Sequence, residues 1–285
     1  MKYLILNADD CGFSQSVNRA VKESFSAGAI TGTSVLSVGR EFPEAIEILK
    51  NSGMVEVGAH LALTGKFDYA CSEKKRIVSI LDEKGTFFGS YREFLGRYFA
   101  GKINEEHVYM EFKKQIERLL RFDFKITHID SHEHIHMLPA IFRVVVRLAD
   151  EFHVPFIRVP NEGVLVYAKR FSLPNYFRSV ALRSVLFLNK GNIASLTLKH
   201  NDQFFGHFHS GSITDDVMCF MADNLKDGIN EIAFHPATFS QIFIDKYPWY
   251  KNSHKELDVL LHGSWRERLA KNNVKLISHK EAAEL

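Results

Sequence analysis

The chain has 285 residues, enough to bury a large core without disulfide or metal staples. Hydrophobic residues make up 46% and charged residues 25%, which excludes a disordered or collagen-like chain. With 36 basic and 34 acidic residues the formal charge is +2, too near neutral for a nucleic-acid or membrane-surface footprint. The three cysteines, Cys11, Cys71 and Cys219, form no CxxC pair and imply no disulfide framework. No apolar run approaches the roughly 18 residues of a membrane span. The opening MKYLILNADD lacks the apolar length and small-residue cleavage site of a signal peptide. A reduced, cytoplasmic protein is expected.

Short β-branched runs alternate with longer amphipathic stretches. Tyr3–Leu6 reads as a buried strand. Ser14 is a suitable N-cap for a helix to about Ala27, where Val17, Ala20, Val21 and Phe25 fall at helical spacing and Gly28 is the stop. Strand Thr33–Val38, helix Phe42–Lys50 and strand Val55–His60 follow. Leu61–Tyr91 is long, polar and Gly-bearing, and reads as a loop excursion over one face. Helix Glu105–Leu120, strand Lys125–Asp130, helix Pro139–Phe152 and strand Phe156–Val159 come next. Residues 162–201 break the rhythm as a helical insertion, with six basic residues and no acid after Glu162. It reads as a solvated basic face, with a dimer contact or an anionic-ligand surface as the sharper alternative. Phe204–His209 is a further candidate strand. The S-x-x-D pattern of Ser212 and Asp215 caps a helix to about Leu225. Strands Glu231–His235 and Val274–Ile277 enclose a helix around Ser264–Lys271. About eight strands with interposed helices define an α/β chain of parallel βαβ units, in a barrel or a doubly wound sheet.

Metal-competent side chains sit at the exits of the apolar runs. YLIL ends in Asn7-Ala8-Asp9-Asp10, VEVGA in His60, and EIAF in His235-Pro236. KIT leads into His128, Asp130, His132, Glu133, His134 and His136. In parallel α/β folds the C-terminal strand ends share one rim, and sites are built there. Alone, Asp9-Asp10 reads equally as a turn cap and His60 as a hydrogen-bonded rim histidine. The HIDSHEHIH segment is different. If it stays extended, His128, Asp130, His132, His134 and His136 share one face. So many imidazoles together favour a ligand, and a catalytic ion takes about three protein ligands. Adjacent residues on a strand point to opposite faces, so Asp9 and Asp10 both line a cavity only if the chain curls, which Gly12 permits. Phe67, Tyr69, Trp249 and Tyr250 are candidates for stacking on a sugar, although packing is the simpler reading of each.

The chain resembles the YdjC/ChbG family of carbohydrate deacetylases through NADDCGFSQSVNRAV, GAHLALT around His60, THIDSHEHIHMLP around His128, FHPA at His235 and the closing VKLISHKE. These pieces run in the family's order from the first strand to the last. The family usually has an aromatic where Cys11 stands. The resemblance implies one distorted, TIM-like (β/α) barrel over 1–285, similar to the polysaccharide deacetylases. It implies a metal-dependent hydrolase removing N-acetyl groups from amino sugars such as chitobiose-type oligosaccharides. It also makes a homodimer expected. Carried over, Asp10, His60 and His128 hold one divalent ion, Asp9 is the general base and His235 the general acid. Asp130, His132 and His134 are left as supporting or substrate-contacting residues. Two imidazoles and a carboxylate suit Zn²⁺, whereas family descriptions name Mg²⁺. The alternatives are a non-catalytic sugar- or metal-binding protein and a metal-dependent phosphoesterase. The latter wants a cation or Gly-rich nest that the sequence does not place beside these histidines.

Overall fold

The computed structural model describes residues 1–67 and 69–285; Asp68, inside the polar excursion after His60, lies outside the described residues. Strand β1 (Lys2–Cys11) leads to α1 (Gln15–Ser26), β2 (Gly32–Val35), α2 (Phe42–Asn51) and β3 (Glu56–Leu61). Then come α3 (Tyr91–Phe99), α4 (Glu105–Leu120), β4 (Lys125–Ser131) and α5 (Pro139–Glu151). The segment 162–201 contributes α6 (Leu173–Leu188) and the short α7 (Lys190–Ala194) before β5 (Gln203–Phe205). The chain closes with α8 (Asp215–Asp223), β6 (Gly228–Phe234), α9 (Gln241–Lys246), α10 (Ser253–His262), α11 (Trp265–Lys271), β7 (Val274–Leu276) and α12 (His279–Ala283).

The seven strands pair with one another in parallel, in the order β4-β3-β2-β1-β6-β5, with β7 beside the first residues of β1. The expected strand Phe156–Val159 is reduced to isolated bridges. Ile157 pairs with Ile129, Phe156 with Lys199, and Glu162 with Phe204. These bridges carry the pairing from β4 round to β5 and give the barrel its distortion. The C-terminal ends of β1, β2, β3, β4 and β6 therefore open on one rim, while β7 ends beside Leu4.

Local rules account for the element boundaries. Ser14 caps α1, its hydroxyl accepting from the Val17 amide at 3.2 Å. Val17, Ala20 and Val21 are fully buried against the sheet. Asn104 caps α4 in the same way. The S-x-x-D cap is not formed. Ser212 donates to the His209 carbonyl instead, Asp215 accepts from Ser264, and α8 starts after Thr214. β5 stops at Phe205, short of His209, because Gly206 turns the chain with φ +114° and a Cβ there would collide with the Ala233 carbonyl.

Candidate metal centre and cleft

Asp9 and Asp10 reach the same cavity because the backbone curls at Asp10 itself. Its φ of +66° places it in the left-handed region, which Asp tolerates better than most residues. The register between β1 and β2 shifts across Ala8 and Cys11 at the same point. The following loop is pinned by Asn18, whose side-chain oxygen accepts from the Gly12 amide at 2.7 Å. Cys11 is fully buried there, and burial pushes its thiol up to about 12. It is a packing residue and not a nucleophile.

Asp10, His60 and His132 bring one potential ligand atom each within 4.8 Å of one another. Asp10 Oδ1 lies 3.2 Å from His60 Nε2 and 2.9 Å from His132 Nδ1. Tyr250 donates to the other oxygen, Oδ2, at 2.6 Å. His60 Nδ1 faces Asp130 Oδ1 at 2.8 Å, which leaves Nε2 for the centre. This is the carboxylate–histidine support common behind metal ligands.

The electrostatics of these groups favour a cation. Burial works to raise Asp10, but His132 and His60 outweigh it and hold its carboxyl well below the usual range. Burial works to lower His60, but Asp130 and Asp10 raise it to about 10; His132 is raised by Asp10 against the same burial. Asp10 and Asp130 thus favour added protons on His60 and His132, and an ion held there would take the place of those protons. A second group, Asp9, His60 and Asp130, is equally close. There the cation is already supplied by protein. The fully buried Arg158 reaches Asp9 Oδ2 and Asp130 Oδ2 through Nη1, both at 2.7 Å, and Asp9 Oδ1 through Nη2 at 2.8 Å. Its Nε donates to Glu231 at 2.8 Å.

His128 departs from the expected ligand set. It lies three residues inside β4 and does not reach the rim. Its Nε2 is 3.2 Å from Ser34 Oγ, its Nδ1 3.2 Å from Thr127 Oγ1, and its ring stacks on His279 at 3.4 Å. A Cβ at Gly58 would collide with this imidazole. Burial, with His279 next to it, keeps His128 neutral. The expected common face of the HIDSHEHIH segment does not form, because β4 ends at Ser131. His132–Met137 is a 3-10 turn with Glu133 and His134 at φ +56° and +53°. Two left-handed residues in succession cost of order 1–3 kcal/mol each and are found where function holds them. The turn swings His132 over Asp10 and His134 against Phe204 and His207. It sends His136 into the core, onto Ser131 and the Arg158 carbonyl.

The centre forms one wall of a cleft of about 570 Å³ that Asp9, His235, Trp249, Gly65, Gly89 and Tyr91 also border. His235 Nε2 is 3.9 Å from Asp9 Oδ2. Burial lowers the proton affinity of His235 and the charges of Asp9 and Asp10 offset part of this. Of the four stacking candidates, Phe67 packs on Phe13 and His132, and Tyr250 is buried behind Asp10. Tyr69 is exposed. Trp249 stands edge-on to His235 on the cleft wall and is 42% exposed. Arg158 and Ser34 were not singled out in the sequence. An arginine inside the apolar run FIRVP was the available signal, since a charge in such a run must find partners.

A parallel α/β barrel with an Asp–His–His cluster that could hold a metal ion, beside a carboxylate–imidazole pair on its C-terminal rim, has the form of a candidate hydrolase site. The chain belongs to the YdjC-like protein family, whose model matches residues 3–271. It is 25% identical to a carbohydrate deacetylase of Clostridium beijerinckii over 98% of this chain and 99% of that one. It is 26% identical to a carbohydrate deacetylase of Geobacillus stearothermophilus over 98% of each. A crystal structure from Enterococcus faecalis V583, of a protein provisionally assigned to cellobiose-phosphate cleavage, superposes with a TM-score of 0.77. It shares 24% identity over 98% of both chains. No helix among the described residues is long and apolar enough to cross a membrane.

Proposed function

We propose that this chain is a metal-dependent carbohydrate deacetylase that removes N-acetyl groups from amino sugars, chitobiose-type oligosaccharides among them, and releases acetate. The observation that carries the reading is the convergence of Asp10, His60 and His132 on one point of a cleft that Asp9 and His235 also line. The names of the relatives supply the reaction class.

Asp10 Oδ1, His60 Nε2 and His132 Nδ1 are the atoms that would hold the ion, and His132 takes the place expected of His128. Two nitrogens and one oxygen favour Zn²⁺ over Mg²⁺. When bound, a divalent ion polarises the acetyl carbonyl and makes a neighbouring water more acidic. Asp9 takes the proton of the attacking water. Its carboxylate is oriented for this by Arg158 on both oxygens and by Asn7, which donates to Oδ1 at 2.7 Å. His235 gives a proton to the amine nitrogen as the C–N bond breaks. Asp9 Oδ2 faces His235 Nε2, so the proton gained by one can restore the other. Trp249 offers a face for the sugar ring.

The test is acetate release from N,N′-diacetylchitobiose with and without chelator, beside phosphate release from a generic ester. Chelator-sensitive acetate supports the reading. Phosphate release alone would favour the phosphoesterase, and binding without turnover the non-catalytic sugar-binding protein.

The homodimer is part of the same proposal. Leu173, Phe177, Val180, Phe187 and Leu188 form an exposed apolar stripe along α6, which a second copy would cover. Sedimentation of the purified chain as a monomer at micromolar concentration would remove it.

A further inference from the structure

We infer that Ser210 is a positioning residue for the general acid: its hydroxyl anchors His235 Nδ1, so that Nε2 is the nitrogen turned toward Asp9 and the amide to be broken. The inference rests on the deacetylase reading and adds a group to its machinery.

Ser210 borders the cleft on the loop between β5 and α8. Its Oγ lies 3.4 Å from His235 Nδ1, and among the described residues no other side chain bonds that nitrogen. The other ring nitrogen, Nε2, is 3.9 Å from Asp9 Oδ2.

Two buried carboxylates hold the loop at its ends. At the start Glu162 accepts from the amides of Gly206, His207 and Phe208 at 3.0, 3.2 and 2.8 Å. At the end Glu256, on α10, accepts from the Ile213 amide at 3.0 Å through one oxygen and from the amide of His235 itself at 2.8 Å through the other. A carboxylate offers two acceptor oxygens and no donor, so it can tie N–H groups of two separate segments together. Glu256 thereby fixes the backbone of the acid against the loop that carries Ser210. Between the two straps Gly211, at φ +72°, lies against Trp249, where a Cβ would stand 3.4 Å from the indole. Trp249 in turn meets the His235 ring edge-on, with centroids 4.9 Å apart.

Which nitrogen of an imidazole serves the reaction is set by the bond that the other one makes. With Nδ1 anchored, the ring cannot turn over and present carbon where Nε2 is needed, and alignment of the reacting atoms is kept. In the acid step the Nε2–H bond breaks, its proton joins the amine nitrogen, and the C–N electron pair goes to that same nitrogen. The ring is left neutral, with its remaining proton on Nδ1 donated to Ser210 Oγ. Nε2 then has a lone pair for the proton held by Asp9. A hydroxyl both donates and accepts, so Ser210 also partners Nδ1 when the neutral ring carries its proton on Nε2.

The experiment compares the metal-loaded wild type, Ser210→Ala and Ser210→Thr on N,N′-diacetylchitobiose and on para-nitrophenyl acetate, whose nitrophenolate leaves without a proton. S210A is expected to lose about tenfold or more in kcat on the amide with KM unchanged, and to hydrolyse the ester within about twofold of wild type. S210T keeps the hydroxyl and should recover most of the amide rate. A merely structural role would depress both substrates alike. Equal loss on the two, or no loss on the amide, overturns the assignment. Nitrogen NMR of the His235 ring, assigned against His235→Gln, needs no turnover. The Nδ1 resonance should move in S210A and return in S210T, and an unmoved resonance also overturns the assignment. A chain that releases no acetate from any amide would end the deacetylase reading, while this spectrum still decides whether Ser210 anchors the ring.

Discussion

Tyr250 donates its phenolic hydrogen to Asp10 Oδ2 at 2.6 Å, and the carboxylate consequently presents Oδ1 to both His60 and His132. Burial and the Asp10 charge push the phenol well above its ordinary range, so it stays a donor. Tyr250→Phe removes one hydrogen bond and leaves the ring packed on Phe13 and Phe243. Metal affinity should fall by about 10–100-fold, the usual effect of losing such a support, with the fold intact. Competition against a chelator of known affinity measures it, and an unchanged affinity would remove Tyr250 from the centre.

His132 and His128 separate by experiment. His132→Ala takes away a ligand atom on the cleft and should abolish stoichiometric metal and acetate release, while unfolding stays cooperative. His128→Ala empties a buried position stacked on His279 and should lower stability by about 2–4 kcal/mol, with metal content retained. Elemental analysis beside urea unfolding of the two variants gives the answer. Metal lost from His128→Ala but kept by His132→Ala would reverse the assignment.

Arg158 is fully buried among Asp9, Asp130 and Glu231. Removing one partner of a buried ion pair costs about 3–5 kcal/mol, and this guanidinium serves three carboxylates. Arg158→Met should therefore destabilise the fold by at least that much, visible as a lowered urea midpoint. Arg158→Lys keeps the charge but not the fork. It should fold and lose acetate release about 100-fold or more, because Asp9 is no longer held on both oxygens.

Glu162 gives stability a pH dependence of unusual sign for a carboxylate. Burial raises it from 4.5 to about 7, against the three amides that it accepts from. The native state then binds more protons than the unfolded state between those values. The contribution is fully present below about 4.5 and is lost as pH rises through about 7, on the order of 3 kcal/mol in all. Urea midpoints of wild type and Glu162→Gln at pH 5.5 and 8 test this. The wild type should lose more stability between the two pH values than the variant, and parallel losses would refute it.

The local half of this protein was legible in its residues. Helix Glu105–Leu120 has the bounds its periodicity requires, and Ser14 caps α1, because spacing and capping act within a few residues. Asp10 and His60 stand at strand exits, which all face one rim in a parallel sheet, so their convergence followed from the order of runs alone. The tertiary structure decided the rest. Which histidine of HIDSHEHIH joins Asp10 depends on where β4 ends and on the left-handed pair Glu133–His134, and no hydrophobic period encodes either. The curl that brings Asp9 and Asp10 to one cavity falls on Asp10, and its support comes from Tyr250, 240 residues away. Arg158 stands in an apolar run, and only the packing of distant strands places three carboxylates around it. Sequence pattern reports which faces are buried; the partners of a buried charge are fixed only when distant segments pack and water is excluded between them.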